Sequence, residues 1–318
     1  MKDHCMSTIS EATFVDLYLG DGFADVKGLP DHPPRAPAPG KWFEEIQVLR
    51  ERCQEHYTAT QEPEFSLIHE GVVFRVTQLS DLNNKSLFVL SKSAVKILPL
   101  DDLGLSDELH DALLSQALRG LIFICGEMGS GKTSSAASLV KARLEKWGGM
   151  ALTIEDPPEP LLHGVHGEGR CVQVPVSRRH GGYEEALIRA LRTRAEMILV
   201  GEVRDTPTAA QVVQASINGH FIICTGHSGS VMQGIERLAV LAQPVLPNAL
   251  QILAQGLIAV IHQTLLNDGS GFKRLKLQCL SLASSESNGI REKIRSDKMQ
   301  LLEQDIASQA ARSLWNDQ

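Results

Sequence analysis

The stretch at residues 121–133 reads L-I-F-I-C-G-E-M-G-S-G-K-T, and it decides the fold class of the chain. The apolar run at 121–124 predicts a buried strand, residues 126–133 have the spacing G-x-x-x-x-G-K-T, and residues 134–145 have a helical pattern. Glycines allow backbone N–H groups to surround a polyanion, and the start of a helix adds the positive end of its dipole. The stretch therefore predicts a strand, a phosphate-binding loop and a helix in succession.

The ligand that such a loop holds is a nucleoside triphosphate with magnesium. We expect the Lys132 ammonium to contact the β- and γ-phosphates, and the Thr133 hydroxyl to bind Mg²⁺. The full set of residues expected to hold the nucleotide is Gly126, Glu127, Met128, Gly129, Ser130, Gly131, Lys132, Thr133 and Ser134.

Residues 101–318 have the pattern of a doubly wound α/β domain, in which helices cover both faces of a parallel sheet. Short apolar runs recur at intervals long enough for a helix, as parallel strands buried on both faces require. Ligands of such sheets bind at the carboxyl ends of the strands. The predicted strands are 121–125, 150–154, 197–200, 221–224 and 275–282; the predicted helices are 106–118, 134–145, 234–241, 249–265 and the tail 290–311; a turn is predicted at 267–271.

Residues 1–100 have the pattern of a separate, small α+β domain. Its most distinctive feature is a Pro-rich loop at residues 30–39, because five prolines in ten residues exclude a helix or a central strand. The other predicted elements are a strand and turn within 11–29, an amphipathic helix at 42–58, and strands at 65–76 and 85–97.

Composition limits the class of protein. The chain has 318 residues, 43% of them hydrophobic, and a formal net charge of -7, so it is long enough for a large core and does not have the basic balance of a nucleic-acid-binding protein. No uncharged run of 18 apolar residues and no signal peptide is visible, so we expect a cytoplasmic protein without a transmembrane segment. The six cysteines form no C-x-x-C pair and predict reduced core residues.

Three carboxylates follow the second core strand, where the sequence 153–159 reads T-I-E-D-P-P-E. This places Glu155, Asp156 and Glu159 beside the predicted phosphate site, where such a cluster requires a cation or a water molecule. We therefore expect Glu155 and Asp156 to join Thr133 as magnesium ligands.

Polar residues also follow the third and fourth core strands. Glu202 follows the run at 197–200, at the position where nucleotide hydrolases keep a metal-holding or water-activating acid, and His227 follows the run at 221–224. A structural reading exists for each type of residue, since a strand-end carboxylate such as Asp205 can cap the next helix and a lone histidine is often a hydrogen-bonded core residue. The order of the whole set after a phosphate loop favours function.

Four motifs in this order resemble the Walker A motif, Asp box, atypical Walker B motif and His box of the secretion ATPase superfamily, the hexameric motors of type II and type IV secretion, type IV pili and conjugation. They are the phosphate loop, T-I-E-D-P-P-E at 153–159, I-L-V-G-E-V-R-D at 198–205, and the N-G-H and T-G-H elements within 218–227. The resemblance spans residues 70–300. It implies a RecA-like P-loop NTPase core at 101–318, a PAS-like α+β domain at 1–100, ATP between the two domains, and a homo-hexameric ring.

The resemblance also implies roles for single residues. Glu202 polarises the attacking water or the metal's shell, Glu159 assists it or is itself the base, and His227 senses the γ-phosphate. Charge that develops on the transferred phosphoryl group needs further cations. The arginines that match the family pattern are Arg75, Arg192 and Arg204, whereas Arg189 and Arg194 are expected to form surface ion pairs.

The chain departs from the family pattern at several positions, and these departures indicate which members of the family it resembles most. It lacks the four-cysteine zinc insertion of the type II secretion members, which points to the shorter pilus-retraction, type IVB secretion or conjugation members. Lys92 stands where many members have an arginine. The less familiar stretch 160–178 contains His163, His166 and Cys171; we expect a flexible loop there, and a metal site is the alternative.

The leading hypothesis is an ATP-hydrolysing hexameric motor at the cytoplasmic face of the inner membrane, with membrane-platform or secretion-channel proteins as partners and no direct contact with nucleic acid. A DNA-translocating P-loop motor, a nucleotide-gated adaptor with little turnover and a small-molecule kinase are the alternatives. The acids at 159 and 202 favour hydrolysis over an adaptor, and the absence of a recognisable lid disfavours a kinase.

Overall fold

The computed structural model describes residues 8–93, 95–267, 273–284 and 287–316. The chain forms two compact units. The smaller consists of Met1–Val95 together with the short segment Asp156–Leu161, and the larger consists of Lys96–Glu155 and Leu162–Gln318. The chain therefore leaves the larger unit after Glu155, contributes six residues to the smaller unit, and returns to the larger unit at Leu162. The division into a PAS-like domain and an ATPase domain near residue 100 stays a prediction.

The smaller unit is an antiparallel sheet with one long helix. Its strands follow the order β3-β2-β1-β6-β5-β4, and the helix α1 buries Ile46, Leu49 and Cys53 in the same core as Phe74 and Phe88 of the sheet. The elements are β1 Asp16–Gly20, β2 Phe23–Lys27, β3 Arg35–Pro37, α1 Phe43–Thr60, β4 Glu64–His69, β5 Val72–Ser80 and β6 Ser86–Lys92.

Two predictions for this unit were incomplete. The predicted strand at 65–76 is a hairpin, because Glu70 and Gly71 turn the chain with positive φ angles of 46° and 76° between β4 and β5. The Pro-rich loop contains the three-residue strand β3, which lies at the edge of the sheet, where a proline without an N–H is tolerated.

The larger unit is built on an eight-stranded mixed sheet in the order β14-β13-β7-β12-β11-β8-β10-β9. The six strands from β13 to β10 are parallel, and β14 and β9 close the two edges in antiparallel pairs. The strands are β7 Gly120–Gly126, β8 Gly149–Glu155, β9 Gly164–His166, β10 Gly169–Pro175, β11 Met197–Val200, β12 Phe221–Gly226, β13 Leu257–Asn267 and β14 Lys273–Ser281. Its helices are α2 Asp107–Leu113, α3 Lys132–Trp147, α4 Gly182–Leu191, α5 Thr206–Ala215, α6 Val231–Ala242, α7 Ala249–Gly256, α8 Asn288–Arg295 and α9 Leu302–Asn316.

Helices cover both faces of this sheet, so neighbouring residues of one strand enter different cores. Leu121 and Phe123 of β7 lie in one cluster with α5 and α6, whereas Ile122 and Ile124 lie in the other with α3. All seven residues of β7 are buried. The predicted doubly wound α/β class is confirmed. Because the four neighbouring strands are parallel, their carboxyl ends lie side by side at the same end of the sheet, in the order β7, β12, β11 and β8.

The helix predicted at 249–265 was wrong in its second half. The helix α7 ends at Gly256, and Leu257–Asn267 forms β13, which pairs in parallel with β7. Residues 257–261 are all buried, so the continuous apolar run is that of a strand covered on both faces, and periodicity does not distinguish it from a buried helix.

Three further predictions concern the stretch 160–178, the helical tail and the turn at 267–271. The flexible loop expected at 160–178 was wrong, because this stretch contains β9 and β10, and β10 pairs in parallel with β8. The helical tail is two helices, α8 and α9, separated by a short 3₁₀ turn at Met299–Leu301. The predicted turn at 267–271 falls almost entirely outside the described residues. Among the helices that the structure describes, none has the length and apolarity needed to cross a bilayer.

Asp205 offers a test of the local structure beside the site. Its carboxylate accepts a hydrogen bond of 2.9 Å from the Thr208 N–H at the start of α5, as the capping alternative predicted. We expect Asp205→Ala to lower the free energy of unfolding by about 1 kcal/mol, since an N–H at the helix start loses its acceptor. Urea unfolding followed by circular dichroism measures the change. Asp205→Asn keeps an acceptor oxygen and should retain most of the stability; equal losses in both variants would contradict the capping role.

Candidate nucleotide-binding and catalytic site

The phosphate loop, residues 126–133, has the backbone shape that its sequence predicts. Gly126, Gly129 and Gly131 have φ angles of 151°, 73° and 90°, which are accessible to glycine and strained for other residues. A Cβ at Gly126 would lie 2.3 Å from the Gln263 carbonyl oxygen of β13, so this position also excludes a side chain by contact. Glycine is therefore required by the loop itself and by its packing.

The start of α3 is suited to an anion. Gly131 precedes the helix and provides no side-chain cap, and the first turn contains no acidic residue. The Ser130 hydroxyl is buried and has no hydrogen-bond partner among the described residues. Helix N–H groups without a cap and a buried donor without an acceptor are what a bound phosphate would complement. The residues present therefore fit the triphosphate that the sequence predicts.

Lys132 is buried at the base of this loop. Its ammonium donates to the Gly126 carbonyl at 3.1 Å and to the Glu127 carbonyl at 2.7 Å, and it lies 3.5 Å from Nδ1 of His227. Burial lowers the pKa of Lys132, while the charge of Glu202 acts in the opposite direction. The ammonium is thus held between the loop and the polar residues that follow the neighbouring strands.

Glu202 connects those polar residues. Its Oε2 accepts from both Nε and Nη2 of Arg204 at 2.7 Å, and its Oε1 lies 2.9 Å from Nε2 of His227. A continuous chain of polar contacts therefore runs from the end of β11 to the phosphate loop, through Arg204, Glu202, His227 and Lys132. The structure brings these four predicted site residues together.

The other predicted residues of the larger unit lie as follows. Thr133 is the second residue of α3 and is half-buried, and the Ser134 hydroxyl donates to the Lys96 carbonyl. Glu127 and Met128 are exposed at the tip of the loop. Arg192 is the residue that follows the carboxyl end of α4, and in the described part of the chain no hydrogen bond or ion pair joins it to Lys132 or Glu202. Arg189 forms the expected exposed ion pair with Glu185 at 2.9 Å.

The three acids of the 153–159 motif have separate environments. Glu155 is 3% exposed, and its Oε1 accepts from the Thr153 hydroxyl and from the Gln173 amide. Asp156 and Glu159 belong to the smaller unit, where Oε1 of Glu159 lies 3.9 Å from the Arg75 guanidinium. The acids that the sequence groups together are therefore divided by the fold.

The alternative of a metal site at 163–171 is not supported by the geometry of the described residues. His163 Nδ1 accepts from the Gln173 N–H at 3.3 Å, His166 Nε2 lies 2.8 Å from the Leu162 carbonyl, and burial raises the pKa of the Cys171 thiol to about 12. The two imidazoles have separate partners, and the three side chains form no ligand cluster among the residues that the structure describes.

Two buried or partly buried glutamines near the site were not among the predicted site residues. Gln263 is fully buried in the interior of β13, where its amide donates to the Ser135 hydroxyl of α3 at 2.8 Å. Gln173 lies on β10, opposite Thr153 of β8. A polar residue inside an apolar strand was the available signal, but neither strand was predicted at those positions.

A protein-family comparison identifies the lineage of this site. Residues 60–305 match the model of the family described as "Type II/IV secretion system protein", which covers most of the chain. The chain belongs to this family. The resemblance carried by the four motifs is therefore confirmed.

Individual relatives agree with this assignment. The type IV pilus retraction ATPase PilT of Pseudomonas aeruginosa is 30% identical over 79% of this chain and 71% of its own length. The type IV pilus ATPase PilU of the same organism is 29% identical over 61% of this chain, a match that spans half of PilU. A crystal structure of the retraction motor PilT with bound ADP superposes with a TM-score of 0.73 at 25% identity, covering 94% of this chain and 89% of that one. The RecA-like α/β fold expected for such ATPases is thus confirmed.

The role of Lys132 can be tested by binding alone. We expect Lys132→Ala to raise the Kd for a fluorescent ATP analogue about 100-fold, because a charge-assisted contact to the phosphates is lost. Lys141→Ala is the matched control, since Lys141 lies on the same helix in a surface ion pair with Glu145. Unchanged affinity in Lys132→Ala would show that the loop does not hold the triphosphate.

Proposed function

We propose that this family member is an ATP-hydrolysing motor that works as a homo-hexamer and powers a type IV pilus, a type IV secretion system or a conjugation machine. The observation that carries the proposal is the contact of Glu202 with His227, 2.9 Å apart, beside the Lys132 ammonium of the phosphate loop. The contact supports the proposal because it connects a carboxylate, the type of group that acts on water, through His227 to the cation that we expect to bind the terminal phosphates. The relatives named as pilus ATPases support the choice of machine.

The loop and the start of α3 bind the triphosphate in this proposal. Backbone N–H groups of 126–133 surround the phosphates, Lys132 contacts the β- and γ-phosphates, and Thr133 holds Mg²⁺. When bound there, the metal ion would offset the charge of the phosphate oxygens. Asp156 remains a predicted ligand of that ion. Glu155 was predicted as another, but its Oε1 is occupied by hydrogen bonds from Thr153 and Gln173.

Glu202 orients the attacking water and accepts its proton, either alone or with Glu159, which is the alternative base. His227 contacts the γ-phosphate through one ring nitrogen while the other bonds Glu202, so that the presence of the phosphate affects the position of the carboxylate. Arg204 restrains the second carboxylate oxygen from the opposite side. Arg75 and Arg192 supply positive charge to the transferred phosphoryl group, as the family resemblance implies.

The motor hypothesis also includes an assembly. ATP binding closes the N-terminal part of one subunit on the core of the next, and hydrolysis releases it. The expected partners are proteins of an inner-membrane platform or a secretion channel, with the ring bound peripherally at the cytoplasmic face. A net charge of -7 disfavours the alternative of a DNA-translocating motor.

Glu202→Gln tests the catalytic assignment. We expect kcat for ATP hydrolysis to fall about 100-fold or more, since an amide cannot accept the proton, while the affinity for ATP is retained. Phosphate release and analogue binding are measured on the same preparation. Glu236→Gln, an exposed position on α6, should have wild-type turnover. Loss of binding equal to that of Lys132→Ala would mean that Glu202 is structural.

The assembly is tested by light scattering with and without Mg-ATP. We expect a particle of six times the 34.7 kDa mass of the chain when nucleotide is present. A strictly monomeric species with full ATPase activity would contradict the mechanism between subunits.

A further inference from the structure

The residues that flank the segment Asp156–Leu161, Glu155 before it and Leu162 after it, both belong to the larger unit, and one side chain contacts both of them. The chain leaves the larger unit after Glu155 and returns to it at Leu162, and the segment between them carries Glu159. Any restraint on Glu155 and Leu162 therefore restrains where this short segment begins and ends. Six residues between two fixed ends have limited freedom.

The side chain of Gln173 binds both ends at once. Its Oε1 accepts from the Leu162 N–H at 3.0 Å and from the His163 N–H at 2.8 Å. Its Nε2 donates to Oε1 of Glu155 at 2.9 Å, and the Thr153 hydroxyl donates to the same oxygen. One amide thus joins the residue before the segment to the two residues after it.

Neighbouring contacts hold Gln173 and its partners in this arrangement. Leu162 is fully buried in the core beside α3, and the Glu155 carbonyl accepts from the Val176 N–H at 2.8 Å. The Gln173 N–H donates to Nδ1 of His163 at 3.3 Å, so the backbone and the side chain of Gln173 both contact the returning chain. The clamp, which we define as Gln173 with Glu155, Leu162 and His163, is a connected network in the larger unit.

The chemistry of the clamp requires an amide. Two N–H groups need an acceptor and a buried carboxylate needs a donor, and glutamine offers both on one planar group. A glutamate would place a second negative charge against Glu155, and an alanine would leave the Glu155 oxygen and the two N–H groups without this partner. A buried carboxylate used in this way is also not available to bind a metal through the same oxygen.

We propose that Gln173 is a positioning residue: by fixing both ends of Asp156–Leu161 it sets the position of Glu159 for ATP hydrolysis. The inference rests on the proposed function, because it requires Glu159 to act in turnover. Gln173 touches neither nucleotide nor metal in this account and acts only through the segment.

Steady-state kinetics provide the first test. Gln173→Ala should lower kcat about tenfold, because small displacements of a catalytic group have effects of this size or larger, and should leave the Kd for an ATP analogue within about twofold of wild type. In a Glu159→Gln background the same substitution should lower kcat no further. An equal further loss there would overturn the inference, because Gln173 would then act by another route.

The matched control is Gln309→Ala. The Gln309 amide also both accepts and donates: it accepts from the Ser281 N–H at 2.8 Å and donates to the Ser281 carbonyl at 2.9 Å. These two bonds join α9 to β14. It should affect thermal stability without the fall in kcat. A matching fall in both variants would mean that general loosening of the fold, and not positioning, explains the result.

A swap of polarity provides the second test. Gln173→Glu alone should lower kcat. In the double variant Glu155→Gln with Gln173→Glu, the amide at position 155 becomes the donor and the carboxylate at position 173 accepts from it and from the two N–H groups, so most of kcat should be recovered. Failure of the double variant to exceed the single one would overturn the inference and would favour a direct role of the Glu155 carboxylate.

Hydrogen exchange of the nucleotide-free protein gives a readout independent of turnover. Gln173→Ala should raise the exchange rates of the Leu162 and His163 amides about tenfold or more, and the swapped pair should restore their protection. Unchanged exchange would refute the clamp. If Glu159→Gln has wild-type turnover, the assigned role of Glu159 is wrong and the inference fails with it; if Glu159→Gln is impaired but Gln173→Ala is not, the inference alone fails.

Discussion

The burial of the Lys132 ammonium at the base of the phosphate loop is the constraint on which the rest of the site depends. A cation removed from water is stable only where oxygens surround it, and here the Gly126 and Glu127 carbonyls do so. Glycines allow the positive φ angles of this loop, and the loop fits against β13 because Gly126 has no side chain. The nearby charge of Glu202 counteracts the effect of burial on the pKa of Lys132.

The fold assigns different tasks to carboxylates that are close in sequence or at similar strand ends. Glu202 stands between two basic groups, Arg204 and His227, and keeps its contact with the phosphate-loop lysine through the imidazole. Glu155 is nearly fully buried and accepts hydrogen bonds from a neighbouring strand. Glu159 is half-exposed beside Arg75 in the smaller unit. These three carboxylates therefore differ in burial and in their hydrogen-bond or ion-pair partners.

Local sequence patterns predicted the parts of this structure that depend on neighbouring residues. The phosphate loop follows from the spacing of residues 126–133 and the Asp205 cap from residues 205–208, and both were predicted correctly as local structures. The strand β13 was missed because a fully buried apolar run has no distinguishing period. Gln173 was missed because its role depends on the pairing of β10 with β8, which brings residues 18 apart in sequence into contact and leaves no local signal. The confirmed family explains why the four-motif order was informative.

The most direct measurement of the central claim is an experimental structure of the wild-type protein with Mg²⁺ and a non-hydrolysable ATP analogue. We expect Lys132 to contact the β- and γ-phosphates, the metal to lie at Thr133, and a Glu202 oxygen to be within reach of a water molecule next to the γ-phosphate. Triphosphate bound elsewhere, or a Glu202 carboxylate turned away from the γ-phosphate beyond the span of one bridging water, would contradict it.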